Sequence, residues 1–131
     1  MTTLVATPVG KTGISIGARM DILETARLCH EVNRGYCEAL GDTSQVSWED
    51  APGWQRESVV AGVQNIINHP GTTPQQSHAQ WMMRKVTEGW VYGPVKDAEQ
   101  KTHPSMRPYG DLPAATRLKD VLFGAVVRAQ M

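Results

Sequence analysis

The sequence predicts an all-α fold of four main helices joined by one long, ordered but irregular segment. Three observations predict it. Apolar residues recur every three or four positions in the first, second and last thirds of the chain, a complete helix-start signal occurs at residues 73–76, and residues 89–112 follow neither the helical nor the strand period. An N-terminal stretch, residues 1–20, lacks a sustained apolar run and reads as a mobile arm, leaving residues 21–131 as one helical domain.

The first helix runs from Asp21 to Leu40, where Ile22, Ala26, Cys29, Val32, Tyr36 and Leu40 form one apolar face and Gly41 ends it. Gly35 inside it costs roughly 1 kcal/mol relative to alanine, so it marks either a close helix contact or a tolerated weakness. In "GDTSQVSWEDAPGW" Ser47 caps a short turn that Asp50 closes, although Glu49 and Asp50 also suit an acidic patch facing a second chain. The second helix spans about Pro52 or Trp54 to Asn68, with Val59, Val63, Ile66 and Ile67 inward. The third begins with Thr73 as N-cap, Pro74 in the first position and Gln76 as reciprocal capping partner. It carries His78, Trp81, Met82 and Lys85 and stops at Gly89. "WVY" then permits a very short strand, and a last helix from about Pro113 presents Leu118, Val121, Leu122, Ala125, Val126 and Ala129 along one side.

Charge and cysteine usage narrow the function classes. Thirteen Lys plus Arg balance thirteen Asp plus Glu, so no global field draws the chain to nucleic acid or to an anionic membrane. No apolar run approaches the ~20 residues that span a bilayer. Cys29 and Cys37 lie eight residues apart in one helix, about 12 Å along its axis, too far to pair with each other. They read as reduced, buried thiols, in keeping with a cytoplasmic protein. His30 and Glu31 lack the second histidine of a metalloprotease motif, since position 34 is Arg; Glu31 and Arg34 instead suit a helix-face ion pair. No metal or cofactor site is expected. No nucleophile-base pair, Walker A loop or diagnostic acid pair appears either, so an enzyme ranks below a binding module.

The candidate site lies in the irregular segment. Trp90 and Tyr92, two apart in "EGWVYGP", would share one side of an extended chain, and Gly89 and Gly93 would turn the backbone at either end. Trp90 is expected to be partly exposed beside Lys101 or Arg107 as a stacking platform for a flat heterocycle, while Tyr92 reads as packed inward. Lys85, Lys96, Lys101, His103 and Arg107 surround the pair, and an arginine fork suits phosphate. His103 reads as an anchor for the loop, and Pro108 with Tyr109 as its pin against the last helix.

These residues carry a resemblance. "HAQWMMRKVTEGWVYGPVKDAEQKTHPSMRPYGDL", residues 78–112, is similar to the RyR domain, the repeat of ryanodine receptor calcium channels. The pattern is met by Trp81, Lys85, Gly89, Trp90, Tyr92, Gly93, Asp97, His103, Pro104, Pro108, Tyr109 and Leu112. The upstream "CHEVNRGYCEALGDTSQVSWEDAPGWQ" resembles stand-alone bacterial and phage members. The resemblance implies paired repeats, hence a homodimer for a single copy, and suggests sensing or sequestering of a nucleotide-like anion. It does not imply channel activity. The expectation is a non-enzymatic small-ligand-binding module, with a protein-protein interaction domain as its rival.

Overall fold

The computed structural model describes residues 21–131; the stretch read as an N-terminal arm, residues 1–20, lies outside the described residues. Four helices dominate: α1 (Ile22–Ala39), α2 (Gly53–Asn68), α3 (Pro74–Thr87) and α4 (Ala114–Gln130). Between α3 and α4 lie two two-residue strands, β1 (Val91–Tyr92) and β2 (Thr102–His103), paired in parallel, and short 3₁₀ turns occur at Trp48–Asp50 and Tyr109–Asp111. The all-α expectation and the ordered, irregular connection are both met.

Local chemistry starts and stops these helices where the sequence signals do. Asp21 caps α1 by accepting from the Glu24 amide at 3.1 Å, and Gly41 follows the end at φ +89°, a conformation that costs glycine little. Ser47 caps its turn by accepting from Asp50, and Thr73 and Gln76 form the reciprocal capping box of α3. The Glu31–Arg34 ion pair forms at 3.1 Å. Glu31 also accepts from the Trp48 amide at 2.9 Å, fastening the α1–α2 connection to α1.

The core sits where α1, α2 and α4 meet, around Ala26, Cys29, Val63, Ile66 and Val127, with Val59, Ile67, Phe123 and Val126 packed against it. Two helical faces are turned from their predicted phase. On α1 the buried residues are Thr25, Ala26, Cys29, His30 and Cys37, whereas Val32 and Leu40 are exposed. On α4, Gly124 and Val127 are buried while Leu118, Val121, Ala125 and Ala129 face outward. The reason on α4 is that apolar residues lie nearly all round the helix, so periodicity alone leaves its phase open. On α1 the polar His30 goes inside because its Nε2–H donates to the Val46 carbonyl at 2.7 Å, which removes the cost of burying the ring.

The close helix approach occurs at Gly62, not at Gly35. A Cβ on Gly62 would lie 2.8 Å from Phe123 Cζ, so α2 and α4 meet there edge to backbone, whereas Gly35 faces open space. Both cysteines are free and buried, as expected. The irregular segment is held by short-range bonds. Asp97 accepts from the Glu99 and Gln100 amides, Thr102 and Asp97 exchange backbone hydrogen bonds at 3.0 Å, and Tyr109 donates to the Arg117 carbonyl at 3.2 Å, pinning the loop to α4.

Candidate functional site: a pocket within the helical bundle

Helix positions decide what faces the space between the four helices. On α3, His78, Trp81 and Lys85 are spaced three and four apart and therefore share a face. Trp54 begins α2 opposite them, and α4 contributes Lys119 and Asp120. The irregular segment closes the site with Trp90, Lys96 and His103. Together they line a pocket of about 410 Å³.

One wall is a continuous run of rings. Trp54 lies 5.6 Å from Trp90 (centre to centre), Trp90 6.2 Å from His103, His103 5.0 Å from Trp81, and Trp81 5.5 Å from His78, near parallel at 25°. Rings at these separations hold one another by offset and edge contacts, so the wall is preformed.

Trp90 requires a correction. It is only 5% exposed, not a partly exposed platform. Its amide donates to the Lys85 carbonyl at 2.9 Å, and Gly89 at φ +93° turns the chain back toward α3, carrying the indole under Lys85 and against Trp54. Trp54, 37% exposed, is the indole open to a visitor. Tyr92 is a second correction: it is 52% exposed, with the Arg107 guanidinium 5.7 Å from its centre, and shares no wall with Trp90. The strand covers only Val91 and Tyr92, so its alternation never reaches residue 90.

Of the basic residues, Lys85, Lys96 and His103 line the pocket; Lys101 and Arg107 do not. Lys101 donates to the Glu88 carbonyl at 2.7 Å, closing the C-terminal end of α3. Arg107 turns its Nε to the Pro104 carbonyl, and its own carbonyl accepts from His78 Nε2 at 2.7 Å.

The charged wall is strongly desolvated. Lys85 is buried with its ammonium 4.7 Å from the Trp54 centre and 5.3 Å from that of Trp90; burial lowers its pKa, and Glu88, 3.4 Å away, partly offsets this. Lys96 is exposed as a residue, yet protein packed around its charged group desolvates it. That desolvation, and then Lys119, hold it below the usual lysine range. His103 accepts from the Ser105 amide at Nδ1 (3.0 Å), which leaves Nε2 carrying the proton. Burial, with Lys96, Lys119 and Lys85 adding to it, pushes its pKa down to about 4, so the ring is neutral. Asp120 is pushed up to about 6 by burial, against the pull of His78 and Lys119. Its Oδ2 lies 4.0 Å from His78 Nδ1.

Chemically, the arrangement offers cations and a neutral N–H donor beside flat apolar rings. Burial pushes the Cys29 thiol up to about 12, so that thiol is inert near neutral pH. Among the described residues, no three His, Cys, Asp or Glu side chains are grouped to hold a metal ion, and no helix is long and apolar enough to cross a membrane.

Sequence reasoning left Trp54, His78, Trp81, Lys119 and Asp120 out of the site. For His78 and Trp81 the signal was their shared helical face with Lys85; for Lys119 and Asp120 it was an adjacent charged pair interrupting an apolar helix. Trp54 carried no such signal, because only the packing of α2 against α3 brings it to the pocket.

Residues 63–122 match the family model described as the RyR domain. The match takes in α3, the irregular segment and the Lys119–Asp120 pair, and leaves Trp54 and α1 outside.

Proposed function

We propose that the chain is a non-enzymatic module that binds a small nucleotide-like anion in the bundle pocket. The observation that carries this reading is that Lys96, Lys119 and His103 line one pocket together with the run of rings from Trp54 to His78, in which His103 is itself a member. Neither lysine forms a salt bridge among the described residues, although the Asp42 carboxylate acts on both from a distance. A volume of about 410 Å³ falls at the small end of ligand sites and suits one compact ligand. Trp54 supplies the accessible ring face for stacking, and Lys85 adds fixed positive charge behind it.

Thermal shift against mono-, di- and cyclic nucleotides, followed by calorimetry, tests the reading. A binder at a hundredfold excess over its Kd adds ~2.7 kcal/mol of apparent stability. Absence of any shift across the library would reject it.

The rival is a protein-interaction domain. Its supporting observation is an apolar cleft on the far side of α3, lined by Met82, Met83, Val86, Pro108 and Tyr109, with Met83 70% exposed. Nucleotide shifts abolished by pocket substitutions favour the binder; no shift, with self- or cross-association lost on Met83→Glu, favours the rival. The same proposal takes the chain to be a stand-alone bacterial or phage member of the family, cytoplasmic and homodimeric. Leu118 and Val121, both 43% exposed on α4, supply apolar surface for such pairing, and sedimentation at micromolar concentration measures it.

A further inference from the structure

The pocket holds one group that an anion site does not need: the carboxyl of Asp120, whose side chain is 22% exposed. A carboxylate among lysines weakens the field that draws an anion in, and it repels the anion once bound. Its neighbour shows how that repulsion is removed. His78 Nε2 lies 2.7 Å from the Arg107 carbonyl, and a carbonyl only accepts, so Nε2 carries the proton of the neutral ring. Nδ1 is then a bare lone pair, and it lies 4.0 Å from Asp120 Oδ2. Stacking on Trp81 fixes the ring in that orientation. Two acceptors thus lie side by side with no proton between them. One proton on the carboxyl makes Asp120 neutral and offers Nδ1 a donor, and a movement of about 1 Å brings the two to hydrogen-bonding distance.

Burial already holds the Asp120 carboxyl at about 6, against the pull of His78 and Lys119, so near neutral pH it stands close to protonation. An anion in the same pocket adds a like charge and drives it further that way. We propose, on the reading of the pocket as an anion site, that anion binding is coupled to a proton: the chain takes up one proton from solvent on the Asp120 carboxyl with each anion, the new O–H donating to His78 Nδ1. By linkage, affinity rises as the solution becomes more acid. The other ionisable groups that face the pocket are Cys29 and His30 on α1, Arg84 and Lys85 on α3, Lys96 and His103 in the irregular segment and Lys119 on α4. None of them is a carboxyl, so none mimics the infrared signature of a protonated Asp120. Glu88 beside Lys85 and Asp42 near Lys96 are separated from it by substitution of Asp120 itself.

The probes are the mono-, di- and cyclic nucleotides of the thermal-shift library, with sulfate as the bare anion. Calorimetry at pH 7 in buffers of different ionisation enthalpy counts protons, and roughly half a proton to one proton is expected to be taken up per anion. For phosphomonoesters, which titrate themselves, the count is the difference between wild type and Asp120→Asn. Infrared difference spectra on adding the same probes should show the carbonyl stretch of a protonated carboxyl appear, and in Asp120→Asn it should be absent. Wild-type affinity for sulfate or 3′,5′-cyclic nucleotides, whose charges are constant in that range, is expected to fall about tenfold between pH 6 and 8, and that of the variant to change little. Binding without the protonated-carboxyl band, or with an equal band in the variant, overturns this inference and leaves the anion site standing. A folded variant that no longer binds overturns it too, since Asp120 would then be a ligand contact. Failure of the whole library and of sulfate to bind overturns both readings. Circular dichroism checks the helices of Asp120→Asn; should that variant not fold, the infrared band of the wild type decides alone.

Discussion

The Lys85 ammonium lies 4.7 Å from the centre of the Trp54 indole, and the lysine that carries it is only 4% exposed. A buried cation needs compensation. Here the two indole faces and the Glu88 carboxylate at 3.4 Å provide it, and the charge near the end of α3 also complements the helix dipole. The consequence is a pocket that is positive before any ligand arrives and whose indoles are held by the charge they flank.

The two indoles flanking Lys85 should respond differently to truncation. Trp90→Ala removes a ring that is 5% exposed and is expected to cost ~3–5 kcal/mol, measured as a lower urea midpoint. Trp54→Ala, at a site 37% exposed, should lose about half as much or less and stay folded while nucleotide binding disappears. Equal stability losses at the two positions would contradict the burial pattern.

Lys119→Met should separate stability from binding. Lys119 and Lys96 repel one another across the pocket, and that repulsion helps to lower the Lys96 pKa. Removing one charge is expected to leave the melting temperature of the free protein unchanged or raised, while affinity for phosphorylated ligands falls at least about tenfold. A lowered melting temperature with affinity retained is the opposite result.

Stability against pH should show two opposing groups. His103, ordinarily near 6.5 and here about 4, contributes stability that is present above pH 6.5 and lost as pH falls toward 4. Asp120, ordinarily near 3.8 and here about 6, acts in reverse: the folded state holds the proton more tightly, so stability is full below 3.8 and falls as pH rises to 6. Each effect is on the order of 3 kcal/mol, and between pH 4 and 6 they largely cancel. Denaturant titrations of Asp120→Asn should therefore lose stability on acidification more steeply than the wild type, and those of His103→Gln should gain it. Lys85, Lys96, Lys119 and His78 face these two groups, so the contrast is read as the difference of each variant from the wild type, with which it shares them.

Two glycines should behave in opposite ways when replaced by alanine. At Gly93 a Cβ would lie 2.6 Å from Thr102 Cβ, where β2 runs alongside it, so Gly93→Ala is expected to cost ~1–3 kcal/mol. Gly35 faces open space inside α1, and Gly35→Ala should stabilise by ~0.5–1 kcal/mol. Thermal melts of both variants measure the difference.

Sequence alone determined what depends on neighbours along the chain. The Asp21, Ser47 and Thr73 caps, the Gly41 and Gly89 stops, and the ordered irregular segment between α3 and α4 follow from short-range chemistry, in which a side chain meets a backbone group within a turn. Tertiary structure decided which face of an apolar helix turns inward, and with it the site. Leu118 and Val121 face outward and Phe123 and Val127 inward because α4 must fill the space that α1 and α2 leave at Gly62. That phase carries Lys119 and Asp120 into the pocket. Trp90 was buried and Trp54 left open by the same long-range packing, in which a single lysine ammonium held between two indoles brings together residues separated by more than thirty positions of sequence.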